Sequence, residues 1–291
     1  MKRRAARLPW AVLGLLAAVP AGAAPVHPWA GLGSLLVPGL GQEVQGRHGA
    51  AAGHFGLWLG TSAGSLALAR EPDYLGPDDR SDENGRILYY NRTTYYAELL
   101  GSLSTNTAFY SAYDAFHGGA PEPAGQLWRA PFRPDYLTRP TTLGPLLLRA
   151  ALIFSGGGSD WAVITDEDLS PYEVAAANTL RYEGVAIGEE AFFRGVVNDT
   201  TARAWGPWLG VPASALAFGL AHSGRAGTAD VAGASAYGLY LGGLHVRNGY
   251  RLGEGVALHF WWNFLTAVDY LKNGKERKDS AFPVLRLQGR F

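Results

Sequence analysis

The 291-residue chain has no cysteine, a formal net charge of zero, and only 17% Asp, Glu, Lys and Arg. A disulfide framework, a thiol nucleophile and a thiolate metal site are therefore excluded, and with no basic excess nothing points to a nucleic-acid partner. The charged fraction lies below the roughly 25% usual for soluble proteins, which tilts the reading toward a membrane. The mean hydropathy of −0.03 is modest because polar loops dilute it.

Lys2, Arg3, Arg4 and Arg7 precede an apolar run over residues 8–19 and then Pro20-Ala21-Gly22-Ala23-Ala24. Residues 1–23 thus read as a signal peptide with an A-x-A site at Ala21 and Ala23, or as a first membrane anchor. Residues 24–140 read as an accessory membrane region. In it, Val37-Pro38-Gly39-Leu40-Gly41-Gln42 interrupts any helix, and a helix is predicted from about Gly49 to Ala69. Gly49, Gly53, Gly56, Gly60 and Gly64 give this helix one smooth face, expected to pack against another helix. Gly60-Thr61-Ser62-Ala63-Gly64 matches the G-x-S-x-G of serine hydrolases, but that motif needs a strand before the serine, and here the context is helical.

A polar loop over residues 70–93 follows, with six acids and four arginines between Arg70 and Arg92. An amphipathic helix is predicted from Thr94 to His117, then a Pro-rich linker over residues 118–140. Apolar segments come next, near Thr141 to Ser155, Tyr172 to Val197, Trp205 to Ala221, Ala229 to Val246 and Leu252 to Leu271. Several approach the ~20 residues that cross a bilayer. The predicted fold class is all-α, a polytopic membrane helical bundle of about seven to eight apolar segments, because these segments lack the period-two alternation of a membrane barrel. Leu285 to Phe291 does alternate and ends on Phe, like a barrel's last strand, and the body of the chain outweighs it. The basic tail, residues 272–291, agrees with the basic N-terminus by the positive-inside rule, while Arg247 and Arg251 do not.

Three charged or polar constellations sit on these apolar segments. The first is Gly188-Glu189-Glu190-Ala191-Phe192-Phe193-Arg194, where ionisable groups stand among residues apolar enough for burial or lipid. Such groups usually face a bundle interior or a water-filled cavity. The second is Phe218-Gly219-Leu220-Ala221-His222, and the third is His259-Phe260-Trp261-Trp262-Asn263, whose His and Asn share a helical face. Three helices could bring one acid, two imidazoles and one carboxamide into one cavity. Each element also has an ordinary explanation: Glu190 with Arg194 as a surface ion pair, His222 bonded to helix-end carbonyls, and His259 with Asn263 as an interhelical hydrogen-bonding pair. His54, His117 and His245 lack partners at motif spacing and read as structural.

This ordered set, Glu-Glu-x-x-x-Arg, Phe-x-x-x-His and His-x-x-x-Asn, resembles the CPBP intramembrane proteases, which include the Rce1-like CAAX prenyl endopeptidases and bacteriocin-processing and immunity homologues. The resemblance covers residues 141–271. It implies an endopeptidase in which Glu189 and His222 activate a water while His259 and Asn263 stabilise the oxyanion. Glu190, Arg194 and Phe218 would support them. No cofactor is implied, although Glu189, His222 and His259 have ligand types suited to zinc; no H-E-x-x-H pair anchors a metal. Ser235 with His259 as a rhomboid-like pair is disfavoured: the glycine after the serine is missing, and Gly238 and Gly242 place Ser235 on a small-residue packing face. The expected partners are a peptide or membrane-protein substrate and the lipid bilayer, in a bacterial inner membrane. A non-catalytic scaffold or immunity protein on the same fold is the rival from another class.

Overall fold

The computed structural model describes residues 26–76, 79, 87–155, 162–166, 169–223 and 227–272. The leader, most of the basic tail and part of the polar loop lie outside the described residues. In chain order the elements are α1 (Pro28–Leu36), α2 (Leu40–Val44), α3 (His48–Leu68), β1 (Ile87–Tyr90), α4 (Arg92–Phe116), α5 (Ala124–Leu127), a 3-10 turn (Ala130–Phe132), α6 (Pro134–Leu137), α7 (Pro140–Phe154), β2 (Ala162–Thr165), α8 (Pro171–Glu189), a π-helical segment (Glu190–Asn198), α9 (Asp199–Trp205), α10 (Pro207–Ala221), α11 (Gly227–Arg247) and α12 (Gly253–Lys272). Proline begins α1, α6, α7 and α10, where its fixed φ suits the first turn and its missing N–H costs no helical bond. Gly206, at φ 77°, turns the chain between α9 and α10 with a backbone that side-chain-bearing residues avoid.

The mostly helical architecture agrees with the sequence, with one correction and one further finding. β1 and β2 pair in parallel, Ile87 opposite Ala162 through Tyr90 opposite Thr165, and this two-stranded sheet was not expected. Four residues are too few to display a period, so an Ile-Leu-Tyr-Tyr strand inside a polar stretch is visible only through its aromatic content. Second, no described helix is long and apolar enough to cross a membrane. The 15-residue α10 is about 22 Å long at 1.5 Å per residue, short of the ~30 Å hydrocarbon core. The longer α8 carries Glu173, Arg181, Glu183 and Glu189, and α12 carries Glu254, Asp269 and Lys272.

The chain divides into two compact units. The first comprises Met1–Gly56, Asn106–Ala130 and Ile187–Val256, and the second Leu57–Thr105, Pro131–Ala186 and Ala257–Phe291. In the first, Phe192, Phe193, Val196, Phe218 and Leu241 are buried, and α10 packs closely on α11. That approach depends on small residues: Gly219 lies under the Ser235 hydroxyl, and a Cβ on Gly238 would stand 3.1 Å from Ala215 Cα. The packing face expected around Ser235, Gly238 and Gly242 is present.

The glycine face of α3 behaves otherwise. Among the described residues, nothing lies within 4 Å of a Cβ placed on Gly49, Gly53, Gly56 or Gly60, and only Gly64 meets a neighbour, Leu100 at 2.8 Å. Among the described residues, helix packing on this face is seen at its last turns. Ser62, in mid-helix, shares a 2.6 Å hydrogen bond with Ser104, consistent with a coincidental hydrolase pattern.

In the second unit Tyr90, Tyr95, Leu99, Leu169, Val174 and Ala177 form a core. There α12 is fixed by contacts far apart in sequence: Trp261 Nε1 donates to Pro131 O at 2.7 Å, Phe132 meets Phe260 edge-on, and Arg149 Nη2 lies 2.9 Å from Asp269 Oδ2.

Candidate active site

The segment Glu190–Asn198 follows α8 without a break and winds as a π-helix, the Asp199 N–H reaching back five residues to Arg194 O. Such wider turns leave carbonyls less well served, and they recur at functional sites. Two carbonyls inside the segment receive side chains: Ser214 Oγ donates to Phe193 O at 2.8 Å, and His117 Nε2 lies 2.9 Å from Gly195 O. Gly195 lies flush against the Tyr113 ring, which occupies the place a Cβ would take. His117 is thereby engaged with the backbone of the π segment. His54 is likewise engaged, 3.5 Å from Asp114, which also holds Gln42 and Arg47.

Glu189 ends α8 and Glu190 opens the π segment. Arg194 Nη1 lies 3.1 Å from Glu190 Oε1, and both side chains are about 1% exposed, so the acid-to-arginine spacing does form an ion pair. Burying two charges is costly unless they meet, and the guanidinium gains a second partner in the face of Phe218, 4.3 Å from its centre. Phe218 touches Phe193 edge-on and lies 4.5 Å from the His222 ring. Phe218 is thus the joint between the first two motifs, tying Arg194 to His222.

His222 caps the C-terminus of α10, with Nδ1 2.8 Å from Phe218 O. A carbonyl can only accept, so Nδ1 carries the proton and Nε2 is left as the acceptor whenever the ring is neutral. The residue is exposed, which leaves that nitrogen open to water. This is also the helix-end bond of the ordinary explanation, and it fixes the tautomer either way.

His259 and Asn263 belong to the second unit, one turn apart on α12, with His259 buried and Asn263 partly buried. Their common face is as the spacing predicts. Among the described residues, no group of three or more His, Asp or Glu is arranged to hold a metal ion.

Two further residues of the first unit lie near the charges of Glu190 and Arg194: Tyr237, which the sequence reading passed over, and His245, which it took as structural. The phenol oxygen of Tyr237 on α11 is buried, and the charges of Glu190, Arg194 and Glu189 act on it. His245, in the last turn of α11, is buried within reach of the charges of Asp199, Glu190 and Arg194. Neither stands at a motif spacing; only the proximity of α11 to the π segment brings them to the acids.

Residues 179–265 match the family model described as Rce1-like, type II CAAX prenyl endopeptidase Rce1-like. This stretch is Rce1-like, and the resemblance read from the three ordered motifs is borne out. The matched family is one of membrane proteases. The match runs from α8 into α12 and contains Glu189, Glu190, Arg194, Phe218, His222, His259 and Asn263. No curated protein and no solved structure matches the chain.

Proposed function

We propose that the chain is a membrane-embedded endopeptidase that hydrolyses peptide bonds with a water activated by Glu189 and His222. The observation that carries this reading is the Rce1-like match, whose span holds all four reactive residues in order. In the proposed reaction, the Glu189 carboxylate takes a proton from a water that also hydrogen-bonds to His222 Nε2. The resulting hydroxide attacks the peptide carbonyl carbon. His259 N–H and the Asn263 amide donate to the oxygen as it becomes negative, contacts worth about 2.7–4 kcal/mol per donor in studied hydrolases. Collapse of the intermediate breaks the C–N bond, and Glu189 returns its proton to the leaving amine.

The His222–Phe218 bond supports this assignment, because it presents an unprotonated ring nitrogen on an exposed side chain. Glu190 and Arg194 hold the π segment and do not touch substrate.

A lipid setting is supported by apolar side chains on outer faces. Trp208 is 92% exposed, and Leu209, Leu216 and Leu220 are exposed along the same α10. Leu143, Leu147, Leu148 and Leu152 form a comparable stripe on α7. Exposed apolar patches of this kind mark membrane or protein contacts, and here assembled bundles, not single apolar helices, would meet the lipid. Substrates are proposed to be peptide precursors or membrane proteins, and the location a bacterial inner membrane.

The test is cleavage of a quenched peptide library by the purified, detergent-solubilised chain, beside Glu189→Gln, with and without chelator. Cleavage that survives chelation and falls by about 10²–10⁴-fold in the variant supports the glutamate mechanism. Loss on chelation with recovery on added zinc would replace it with a metal-dependent one, and a wild type inert toward every substrate would favour the scaffold.

A further inference from the structure

Around the π segment, several buried side-chain atoms have no hydrogen-bond partner. Asp199 receives Arg203 Nε on Oδ1 at 2.7 Å, while its Oδ2 is buried without a hydrogen bond, 4.0 Å from His117 Nε2. Asn198 donates through Nδ2 to Gly242 O at 3.4 Å, yet its Oδ1 is buried and receives nothing. Thr200 Oγ1 is in the same condition. On α11, one turn past Gly242, His245 has Nδ1 3.4 Å from Arg251 O and a buried Nε2 with no partner. At the other end, Nε, Nη1 and Nη2 of Arg194 make no hydrogen bond; the 3.1 Å approach to Glu190 is a charge contact outside hydrogen-bond geometry.

These atoms succeed one another along a single stretch of helix and the facing turn of α11. They alternate in character: guanidinium donors, a carboxamide acceptor, a carboxylate acceptor, a hydroxyl able to do both, and an imidazole nitrogen. Buried polar atoms are almost always bonded to protein or to ordered water, and an internal water typically makes two to four hydrogen bonds to such groups. A molecule that donates twice and accepts twice satisfies the whole set, whereas a metal or an anion would satisfy only one kind of atom in it.

We infer that the ladder from Arg194 through Asn198 to Asp199, Thr200 and His245 is a water-binding site holding a file of ordered water beside the π segment. Arg203, whose side chain is 33% exposed, marks its solvent end, and the Glu190–Arg194 pair its inner end. In the hydrolytic reading above, on which this role rests, the file supplies the reactant to Glu189. The binding of water itself does not depend on that reading.

X-ray radiolysis of the purified full chain in detergent, in ¹⁸O-labelled water, tests this. Hydroxyl radicals formed from bound water oxidise the side chains they touch, and mass spectrometry locates the label. The control is Leu241, one turn earlier on α11 and fully buried. After correction for intrinsic reactivity, ¹⁸O incorporation several-fold faster at His245 than at Leu241 is expected; an equal rate would overturn the inference. Peptide hydrolysis on the same sample separates the two readings. Labelled His245 without hydrolysis keeps the water and removes the endopeptidase, and hydrolysis with an unlabelled His245 does the reverse.

Discussion

Two arginine–carboxylate pairs, one from each unit, are built differently. In the first unit Glu190 and Arg194 stand four residues apart in one helical segment, each about 1% exposed. In the second, Arg149 on α7 meets Asp269 on α12 across 120 residues of sequence; Asp269 is fully buried, whereas the arginine side chain is 18% exposed and lies near the Trp262 ring. The first pair braces one helix and grips Phe218. The second ties two helices together and holds α12, which carries His259 and Asn263. A buried charge is tolerable in either arrangement, and the cost of removing one partner should follow the burial of the pair, not its spacing.

Breaking the pair with both members buried should have the largest effect. Arg194→Ala strands the Glu190 charge and bares the Phe218 face, with an expected loss of about 3–5 kcal/mol in denaturant unfolding. Arg149→Ala acts in the same way, but its partly hydrated site should place it near the lower end, about 3 kcal/mol. An equal or larger loss for Arg149→Ala would break the comparison. Replacing both members of the first pair, Glu190→Gln with Arg194→Met, should recover most of the stability lost in Arg194→Ala, because no lone charge then remains buried. That double variant should still fold cooperatively by calorimetry.

The smallest effect belongs to an exposed pair, Arg133 with Asp135, 2.7 Å apart on half-exposed side chains. The Arg133 hydrogen bond holds the Asp135 carboxyl below its usual range. A depressed folded value contributes stability only above the unfolded carboxylate pKa, and the contribution fades as pH falls through the folded one. Arg133→Ala should therefore move the Asp135 NMR titration upward toward an ordinary carboxylate while the unfolding midpoint stays in place, as screening by solvent requires.

The sequence was legible where it is punctuated. Pro207 and the glycines near Gly253 bracket apolar runs, so α10, α11 and α12 begin and end within about two residues of where they were read. The Phe218 O–His222 Nδ1 bond emerged only with the structure, whereas the Glu190–Arg194 contact followed from spacing. The π winding did not, because an acid and an arginine four apart read the same in either helix. On the glycine face of α3 the described residues supply a neighbour only at Gly64, since a smooth stripe says that a neighbour can approach and not which one does. Tyr237, the surroundings of His245 and the Arg149–Asp269 pair were illegible for one reason: each depends on a partner from a distant element.

Glu190 and Asp199 are nine residues apart. At 100° per residue an α-helix would set them about 180° apart, on opposite sides. With bonds reaching five residues back, nine residues close about two turns, and the two acids return to nearly the same bearing. The segment is a phase shifter between α8 and α9, so its length matters as much as its composition. Deleting one residue between Arg194 and Asn198 would let the backbone relax to regular α pitch and swing Asp199, Arg203 and the start of α10 around the axis, leaving every side chain chemically intact and the acids out of phase.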